Sequence, residues 1–324
     1  MKKDKKVFII IEVILAVIVI ALTIGMLQGR NKKDRERIAV IIENSDDNQW
    51  AAFKYGLEMA AEDLKVELFV VSKETNLTAE EERSVIESEI KNGADAVIVQ
   101  PAAGADMEEM LKKIYKKVPL LLIEEIVDNE GNTTDITIVG PDDYAMGITL
   151  AEELLADSNE NIKGKTLGLV SEKNDSAAAI KREKGFCDAM KDAGAKICWR
   201  VADSFSEEPE NALYEMPKVD YVIALDDNSL TTAGRCAAAN NLHGALVYGI
   251  GNSTEALYFL DIGYAECVVV PDEFNVGYQS VKESVKRART LRGAIKNQTV
   301  SHTVIRRETL FSEENQEILF TMSQ

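Results

Sequence analysis

Short apolar runs alternate with amphipathic segments along most of the chain. Residues 38–42 form a continuous run of isoleucine, alanine and valine, which is typical of a buried β-strand. The next segment predicts a helix, because its apolar residues recur at helical spacing on one face. These residues are Trp50, Phe53, Leu57, Ala61 and Leu64. Further strands are predicted at residues 66–71, 96–99, 118–123, 136–139, 166–170, 197–201, 220–225, 246–250, 265–270 and 302–306.

The strands are apolar throughout, and a helical pattern separates each from the next. This alternation predicts an α/β fold with parallel sheets that helices cover on both faces. Roughly ten strands are too many for one small open sheet, so two doubly wound lobes fit better. In such sheets ligands bind beyond the carboxyl ends of the strands, which directs attention to the loops that follow them.

The N-terminal segment has a different pattern. Residues 7–27 form an apolar run that would span about 32 Å as a helix, close to the thickness of a bilayer core. Basic residues flank it on both sides: Lys2, Lys3, Lys5, Lys6, Arg30, Lys32, Lys33, Arg35 and Arg37. We expect residues 1–35 to form a basic tail, an uncleaved transmembrane anchor and a stalk. A cleaved signal peptide is the alternative, but the run is long for one and no small-x-small site follows it.

Charge is distributed unevenly along the 324 residues. The formal net charge is −18, with 37 basic and 55 acidic side chains. Residues 1–37 carry a net +5, so the remainder carries −23. A body that acidic repels phosphate backbones, and we therefore expect no nucleic-acid partner. The four cysteines lack CxxC spacing and the chain has only two histidines, so neither a zinc site nor another cofactor is expected.

Polar and mostly acidic residues follow the predicted strands. Glu43 to Gln49 follow the first strand, and Glu124 and Glu125 follow the run at 118–123. One interpretation is a ligand pocket at the strand ends. The alternative is helix capping, in which such side chains satisfy free backbone N–H groups. Capping is the competing interpretation for Asp46, Ser176, Asp227, Asn252 and Ser253.

The ordered motifs of residues 36–310 resemble the type I periplasmic binding proteins, particularly their ribose- and galactose-binding members and the ligand-binding domain of lactose-repressor-like regulators. The resemblance includes IAVII, NGADAVIVQPA, VPLLLIEE, VDYVIALDDNSLTTAG and VYGIGN. It implies two lobes joined by a three-crossover hinge that closes on ligand. Lobe one would comprise residues 36–141 and 270–300, and lobe two residues 142–269 and 301–324.

The resemblance also implies where ligand would be held. Asp47 and Trp50 match the polar and aromatic positions of the first loop, Glu124 an acidic position and Asp226 the polar position after VIAL. Other positions depart from the sugar-binding pattern, since Glu125 and Ile180 replace arginines, Gly251 an aspartate and Val269 a glutamine. The candidate ligand-binding residues are Glu43, Asp47, Gln49, Trp50, Glu124, Glu125, Asp226 and Asn252.

These departures leave more acceptors than donors in the expected pocket. Converging carboxylates repel one another unless a cation joins them. The expected ligand is a sugar, an amino sugar or an amine, and a functional pocket of this composition would suit a positively charged or donor-rich one. The alternative is that some of these acids point to solvent or that the site is degenerate.

The sequence contains no Gly-x-Ser-x-Gly and no glycine-rich phosphate loop, so an enzyme is not expected. The expected function is that of a membrane-anchored extracytoplasmic solute-binding protein, in the cell membrane as a single-pass protein, that delivers ligand to an ABC-type permease. The alternative is a ligand-sensing module that signals to a membrane receptor or histidine kinase.

Overall fold

The structure is a computed structural model that describes residues 35–74, 77–102, 106–125, 136–159, 161–173, 176–202, 210–290 and 297–323. The predicted transmembrane segment at residues 7–27 lies outside these ranges. Within them, no helix is both long enough and apolar enough to cross a bilayer.

Strands and helices alternate from Arg37 to the C-terminal region. The strands are β1 Arg37–Glu43, β2 Glu67–Lys73, β3 Ala96–Val99, β4 Leu120–Leu122, β5 Thr137–Pro141, β6 Thr166–Ser171, β7 Lys196–Ala202, β8 Tyr221–Ala224, β9 Leu246–Ile250, β10 Cys267–Pro271, β11 Gln298–Val300 and β12 His302–Arg306. The α-helices are α1 Ala51–Leu64, α2 Ala79–Lys91, α3 Met107–Tyr115, α4 Asp143–Asp157, α5 Ala177–Met190, α6 Asn211–Tyr214, α7 Asp227–Ala238, α8 Thr254–Asp261, α9 Glu273–Arg289 and α10 Gln316–Met322.

The strands form two six-stranded sheets, one in each lobe. The first has the order β11-β5-β4-β3-β1-β2, and all of its neighbouring strands are parallel. The second has the order β12-β10-β9-β8-β6-β7, and only β12 is antiparallel to its neighbour. The expected fold class, α/β with two parallel-sheet lobes, is therefore confirmed.

The described chain passes between the sheets at three places. It leaves the first sheet after β5 and enters the second lobe with α4. It returns after β10, because α9 packs against α1 of the first lobe. Ser301 alone separates β11 of the first sheet from β12 of the second.

Apolar side chains cover both faces of each sheet. In the first lobe, Ile38, Val40 and Ile42 of β1 pack on one side, whereas Ala39 and Ile41 pack on the other. The second lobe has the same arrangement, with one layer formed around α7 and α8 and the other around α4 and α5. This two-sided burial explains why the central strands are apolar at every position.

The structure differs from the sequence prediction at the sheet edges. The edge strands β2 and β7 are more exposed than the central strands, and in β7 exposed and half-buried side chains alternate. Strand β11 was not predicted, since Gln298 and Thr299 give it no apolar run. Strand β12 is antiparallel to β10. Its first residue, His302, pairs with Pro271, the last residue of β10, so β12 runs back along β10.

The start of α2 is stabilised by a capping box. Thr78 and Glu81 form a capping box at the start of α2, in which the backbone N–H of Glu81 donates to Thr78 Oγ1 at 3.3 Å. In return, the backbone N–H of Thr78 donates to a Glu81 carboxylate oxygen at 2.8 Å. The bond from Thr78 lowers the pKa of Glu81. Together the two bonds satisfy two backbone N–H groups that have no partner within the helix.

Glycines allow one pair of helices in each lobe to approach closely. A Cβ on Gly56 of α1 would lie 2.0 Å from the carbonyl oxygen of Phe274 in α9. In the second lobe, a Cβ on Gly185 of α5 would lie 2.1 Å from the carbonyl oxygen of Tyr144 in α4. In each pair, the glycine lies directly against the backbone of the other helix. A methyl group at either glycine would therefore force the two helices apart.

Candidate functional site

A cleft of about 760 Å³ lies between the two sheets, at the carboxyl ends of their strands. Its walls come from the loops after β1, β3 and β4 in the first lobe and after β6, β8 and β9 in the second. The crossing segments also contribute, through Pro141, Asp143, Pro271 and Glu273. Its volume lies within the range of small-molecule binding pockets.

The loop after β1 places an aromatic ring in the cleft. Trp50 is 8% exposed, and its indole Nε1 donates to the carbonyl oxygen of Glu43 at 2.9 Å. Asp47 precedes the 3-10 turn Asn48–Trp50 and accepts hydrogen bonds from the backbone N–H and the side-chain Nε2 of Gln49. Asp47 therefore fixes the loop that presents Trp50.

A chain of hydrogen bonds links three strand ends of the first lobe. The backbone N–H of Glu43 donates to Gln100 Oε1 at 2.9 Å, and Gln100 Nε2 donates to Glu124 Oε1 at 2.9 Å. Burial raises the pKa of Glu124, and this hydrogen bond only partly opposes the effect. The Gln100 amide thus orients the Glu124 carboxyl group, which faces the cleft. Because this group is buried, its ionisation costs free energy.

Arg182 of α5 is held by the start of α4. Its Nε donates to Asp143 Oδ1 at 2.7 Å, and one terminal nitrogen donates to the carbonyl oxygen of Leu225 at 3.0 Å. Burial works against the charge of this guanidinium, but the neighbouring Asp143 carboxylate raises the pKa of Arg182. Arg182 therefore bonds to other residues of the second lobe and links α5 to them.

Two adjacent carboxylates after β8 bind backbone amides. Asp226 accepts hydrogen bonds from the backbone N–H groups of Glu172 at 2.7 Å and Ser229 at 2.8 Å, and it caps α7. Asp227 accepts from the backbone N–H groups of Asn252 at 2.7 Å and Ser253 at 2.8 Å. Burial raises the pKa of Asp227 to about 6, against the effect of these bonds.

Polar contacts cross the cleft from one lobe to the other. Lys173 forms an ion pair with Glu43, and Lys181 forms one with Glu125. Asn252 Nδ2 donates to the carbonyl oxygen of Gln49 at 2.8 Å. Burial opposes the charge of Lys173, but its bond to Glu43 raises the pKa of this lysine. The lobes therefore face each other across a narrow and charged opening.

The sequence of residues 38–289 matches the family model described as "periplasmic binding protein domain". The match covers most of the chain and includes five of the six strands of each sheet. The chain belongs to the periplasmic binding protein family. None of the curated proteins compared with the chain matches it.

Solved structures share the fold of this periplasmic binding protein. A carbohydrate transporter solute-binding protein from Agrobacterium radiobacter, in complex with D-arabinose, is 18% identical and has a TM-score of 0.78; the alignment covers 89% of this chain and 99% of that one. GanP, a glucose-galactose binding protein from Geobacillus stearothermophilus, is 19% identical with a TM-score of 0.73, covering 86% and 100%. An ABC transporter solute-binding protein from Bacillus halodurans with bound myo-inositol is 19% identical with a TM-score of 0.73, covering 88% and 98%.

Seven of the eight candidate residues line the cleft of this periplasmic binding protein domain: Glu43, Gln49, Trp50, Glu124, Glu125, Asp226 and Asn252. Asp47 does not line it and instead caps the adjacent turn. This result shows only where the seven side chains lie. Contact of any of the eight residues with a ligand stays a prediction.

The competing interpretation, helix capping, was correct at some positions and displaced by one residue at others. Ser176 and Ser253 cap α5 and α8. Asp47, rather than Asp46, caps the first turn, and Asp226, rather than Asp227, caps α7. The N-cap is the residue directly before the first helical residue, and at these two helix starts that residue is Asp47 and Asp226.

Sequence reasoning missed several cleft residues. Gln100 directly follows β3, so the rule that led to Glu124 could have found it. Glu172 and Lys173 likewise follow β6. Glu273 had no comparable signal, because it belongs to the cleft only through the return of the chain to the first lobe.

Proposed function

We propose that this chain is an extracytoplasmic solute-binding protein that encloses a small polar molecule between its lobes. The observation that supports it best is the cleft of about 760 Å³ at the carboxyl ends of both sheets, whose two walls contact each other through Glu43–Lys173, Glu125–Lys181 and Gln49–Asn252. Side chains from both lobes line the same space, so one ligand can bridge the lobes and favour their closure. Membership of the periplasmic binding protein family agrees with a binding role rather than catalysis.

The wider proposal concerns placement and partner. We propose that residues 7–27 anchor the chain in the cell membrane and that the ligand-bound form delivers its ligand to an ABC-type permease. Support comes from the apolar run in the sequence and from two proteins of similar structure. They are ABC transporter solute-binding proteins from Agrobacterium vitis, with bound alpha-D-tagatopyranose, and from Bacillus halodurans, with bound myo-inositol. Affinity capture from detergent-solubilised cells tests this: recovery of a permease is expected, and recovery of a sensor kinase without a permease would contradict the transport role.

A thermal-shift screen of the purified full-length chain tests the binding function. The compounds are neutral sugars, polyols, amines and nucleosides. A compound that binds only the folded state adds about 2.7 kcal/mol at one hundred times its Kd, so a clear rise in melting temperature is expected for one class. Asn252→Ala, which removes a contact between the lobes, should reduce that rise, and the exposed Ser84→Ala should leave it unchanged. No rise with any class would contradict the proposed function.

A further inference from the structure

Acidic side chains dominate the walls of the cleft. Among the described residues that line it, the two basic ones are Lys173 and Arg182. The acidic ones number eight: Glu43, Glu124, Glu125, Asp143, Glu172, Asp226, Asp227 and Glu273. The excess of negative charge is a property of the cleft itself, because it is counted only over the residues that face it.

The two basic side chains are already engaged. Lys173 is paired with Glu43, and Arg182 is paired with Asp143. Glu125 is paired with Lys181, which stands outside the lining. These pairs leave no lysine or arginine among the described lining residues that is free to meet an anionic ligand.

Backbone amides account for two more of the acids. Asp226 and Asp227 each accept two backbone N–H groups and thereby hold the loops after β6 and β9 in place. The carboxylate oxygens of Asp226 and Asp227 therefore bind the protein's own backbone.

Three carboxyl groups remain: Glu124, Glu172 and Glu273. In the described part of the chain, none of them forms an ion pair with a lysine or arginine. They stand on different elements, with Glu124 after β4, Glu172 after β6 and Glu273 in the first turn of α9. Glu124 and Glu273 nevertheless lie close enough for the Glu124 charge to raise the pKa of Glu273.

Each of these three groups is difficult to ionise where it stands. Burial raises the pKa of Glu124, of Glu172 and, to about 7, of Glu273. Around Glu273, the Arg182 guanidinium opposes this rise, whereas Glu124, Asp143 and Asp272 add to it. A positive charge placed among these groups would relieve their repulsion.

The arrangement does not suit a metal ion. Among the residues that the structure describes, no three histidine, cysteine, aspartate or glutamate side chains are grouped closely enough to hold one. Carboxyl groups from three different elements around a large cleft suit instead an organic cation, whose N–H groups donate in several directions. Trp50 also lines this space, with most of its side chain buried in the first lobe.

We propose that the ligand of this cleft is a polyhydroxylated amine, such as an amino sugar or an aminated polyol, whose ammonium group is received by Glu124 and Glu273. The inference rests on the proposed solute-binding function. The ammonium group would supply the donors that these two carboxylates lack, and its hydroxyl groups would meet Gln100, Glu172 and Asn252.

Calorimetric titration of the full-length chain at pH 7 with three matched pairs tests the proposal. The pairs are D-glucosamine with D-glucose, D-galactosamine with D-galactose, and 1-amino-1-deoxysorbitol with sorbitol. The amine of at least one pair is expected to bind at least tenfold more tightly than its neutral counterpart. Neutral members that bind as tightly as the amines, or more tightly, would overturn the inference and leave the solute-binding function standing. Absence of heat and of a thermal shift with every compound would overturn both.

Charge-removing variants supply the second part of the test. Glu124→Gln and Glu273→Gln keep the size of the side chain and remove its negative charge. Each should weaken binding of the preferred amine at least tenfold and change binding of the neutral counterpart less than twofold. Glu58→Gln, an exposed position in α1, is the matched control and should change neither. Equal loss of amine and neutral ligand in the cleft variants would contradict an ammonium site.

Discussion

Glu273 shows how burial and neighbouring charges change the chemistry of a single residue. It stands in the first turn of α9, where the helix N-terminus normally favours a carboxylate. Burial outweighs this effect, and together with Glu124, Asp143 and Asp272 it raises the pKa of Glu273 to about 7, although Arg182 acts in the opposite direction. Charging this side chain therefore lowers the stability of the folded protein.

The variant Glu273→Gln should change stability in a pH-dependent way. The folded pKa of about 7 exceeds the ordinary value of 4.5, so the folded state binds the extra proton between these values and the wild type loses stability as pH rises through them. At pH 8 the variant should be more stable than the wild type by about 1–3 kcal/mol, and at pH 4.5 the difference should be small. Urea denaturation at both values measures this. A difference of equal size at both values, or one also seen with Glu58→Gln, would contradict the assignment.

Residues near the strand ends also show what the sequence could reveal. Glu43, Glu124 and Asp226 were found because parallel strands bring their carboxyl ends to one edge. The pairing of Lys173 with Glu43 could not be found this way, because it joins residues 130 positions apart on two different lobes. A sequence identifies which loops converge more readily than which side chains meet.

At the scale of elements, close helix contacts hold the cleft residues in place. Helices α4 and α5 approach closely at Gly147 and Gly185, where a Cβ would lie 2.0 and 2.1 Å from a backbone oxygen of the other helix. Helix α5 also carries Lys181 and Arg182, which reach Glu125 and Asp143. The position of these charges thus depends on the fit between two backbones.

The variant Gly185→Ala should be destabilised because its methyl group cannot fit against the backbone of Tyr144. Separation of α4 and α5 is expected to cost about 1–3 kcal/mol, which is typical of an overpacked core. The midpoint of urea denaturation measures it. Ser84→Ala, at an exposed helical position, is the control and should be neutral or slightly stabilising. Unchanged stability of Gly185→Ala would show that the helices can separate without cost.

The elements themselves were largely predictable from periodicity. The central strands were recognised because burial on both faces makes every position apolar, as in β3 and β9. Strand β11 was missed because it is short, polar and at the edge of its sheet. The segment at residues 7–27 stays a prediction, since it lies outside the described residues.

At the scale of the whole molecule, contacts across the cleft determine how the lobes face each other. Glu43–Lys173 and Glu125–Lys181 are ion pairs between lobes, and Gln49–Asn252 is a hydrogen bond between them. Because the cleft is otherwise rich in carboxylates, these two lysines also reduce repulsion between its walls. We expect them to favour closure before any ligand binds.

The double variant Lys173→Met and Lys181→Met should open the cleft. Loss of two ion pairs leaves Glu43 and Glu125 facing acidic neighbours, so the closed arrangement becomes less populated. Hydrogen–deuterium exchange measured by mass spectrometry should show faster exchange in residues 43–50 and 250–253, with α2 unchanged. Lys184→Met is the matched control, because Lys184 pairs with Asp188 within the same helix. Unchanged exchange at the cleft in the double variant would contradict this role.

Titration of a ligand from the screen into a variant whose cleft is filled tests the central claim most directly. Ala178 is half-buried and lines the cleft near the start of α5, so Ala178→Trp should occupy the space without removing a charge or a hydrogen-bonding side chain. We expect Ala178→Trp to retain its fold and lose calorimetric binding, whereas Ser84→Trp on the exposed face of α2 should bind like the wild type. Wild-type affinity in Ala178→Trp would contradict it, because the ligand would then bind outside the cleft.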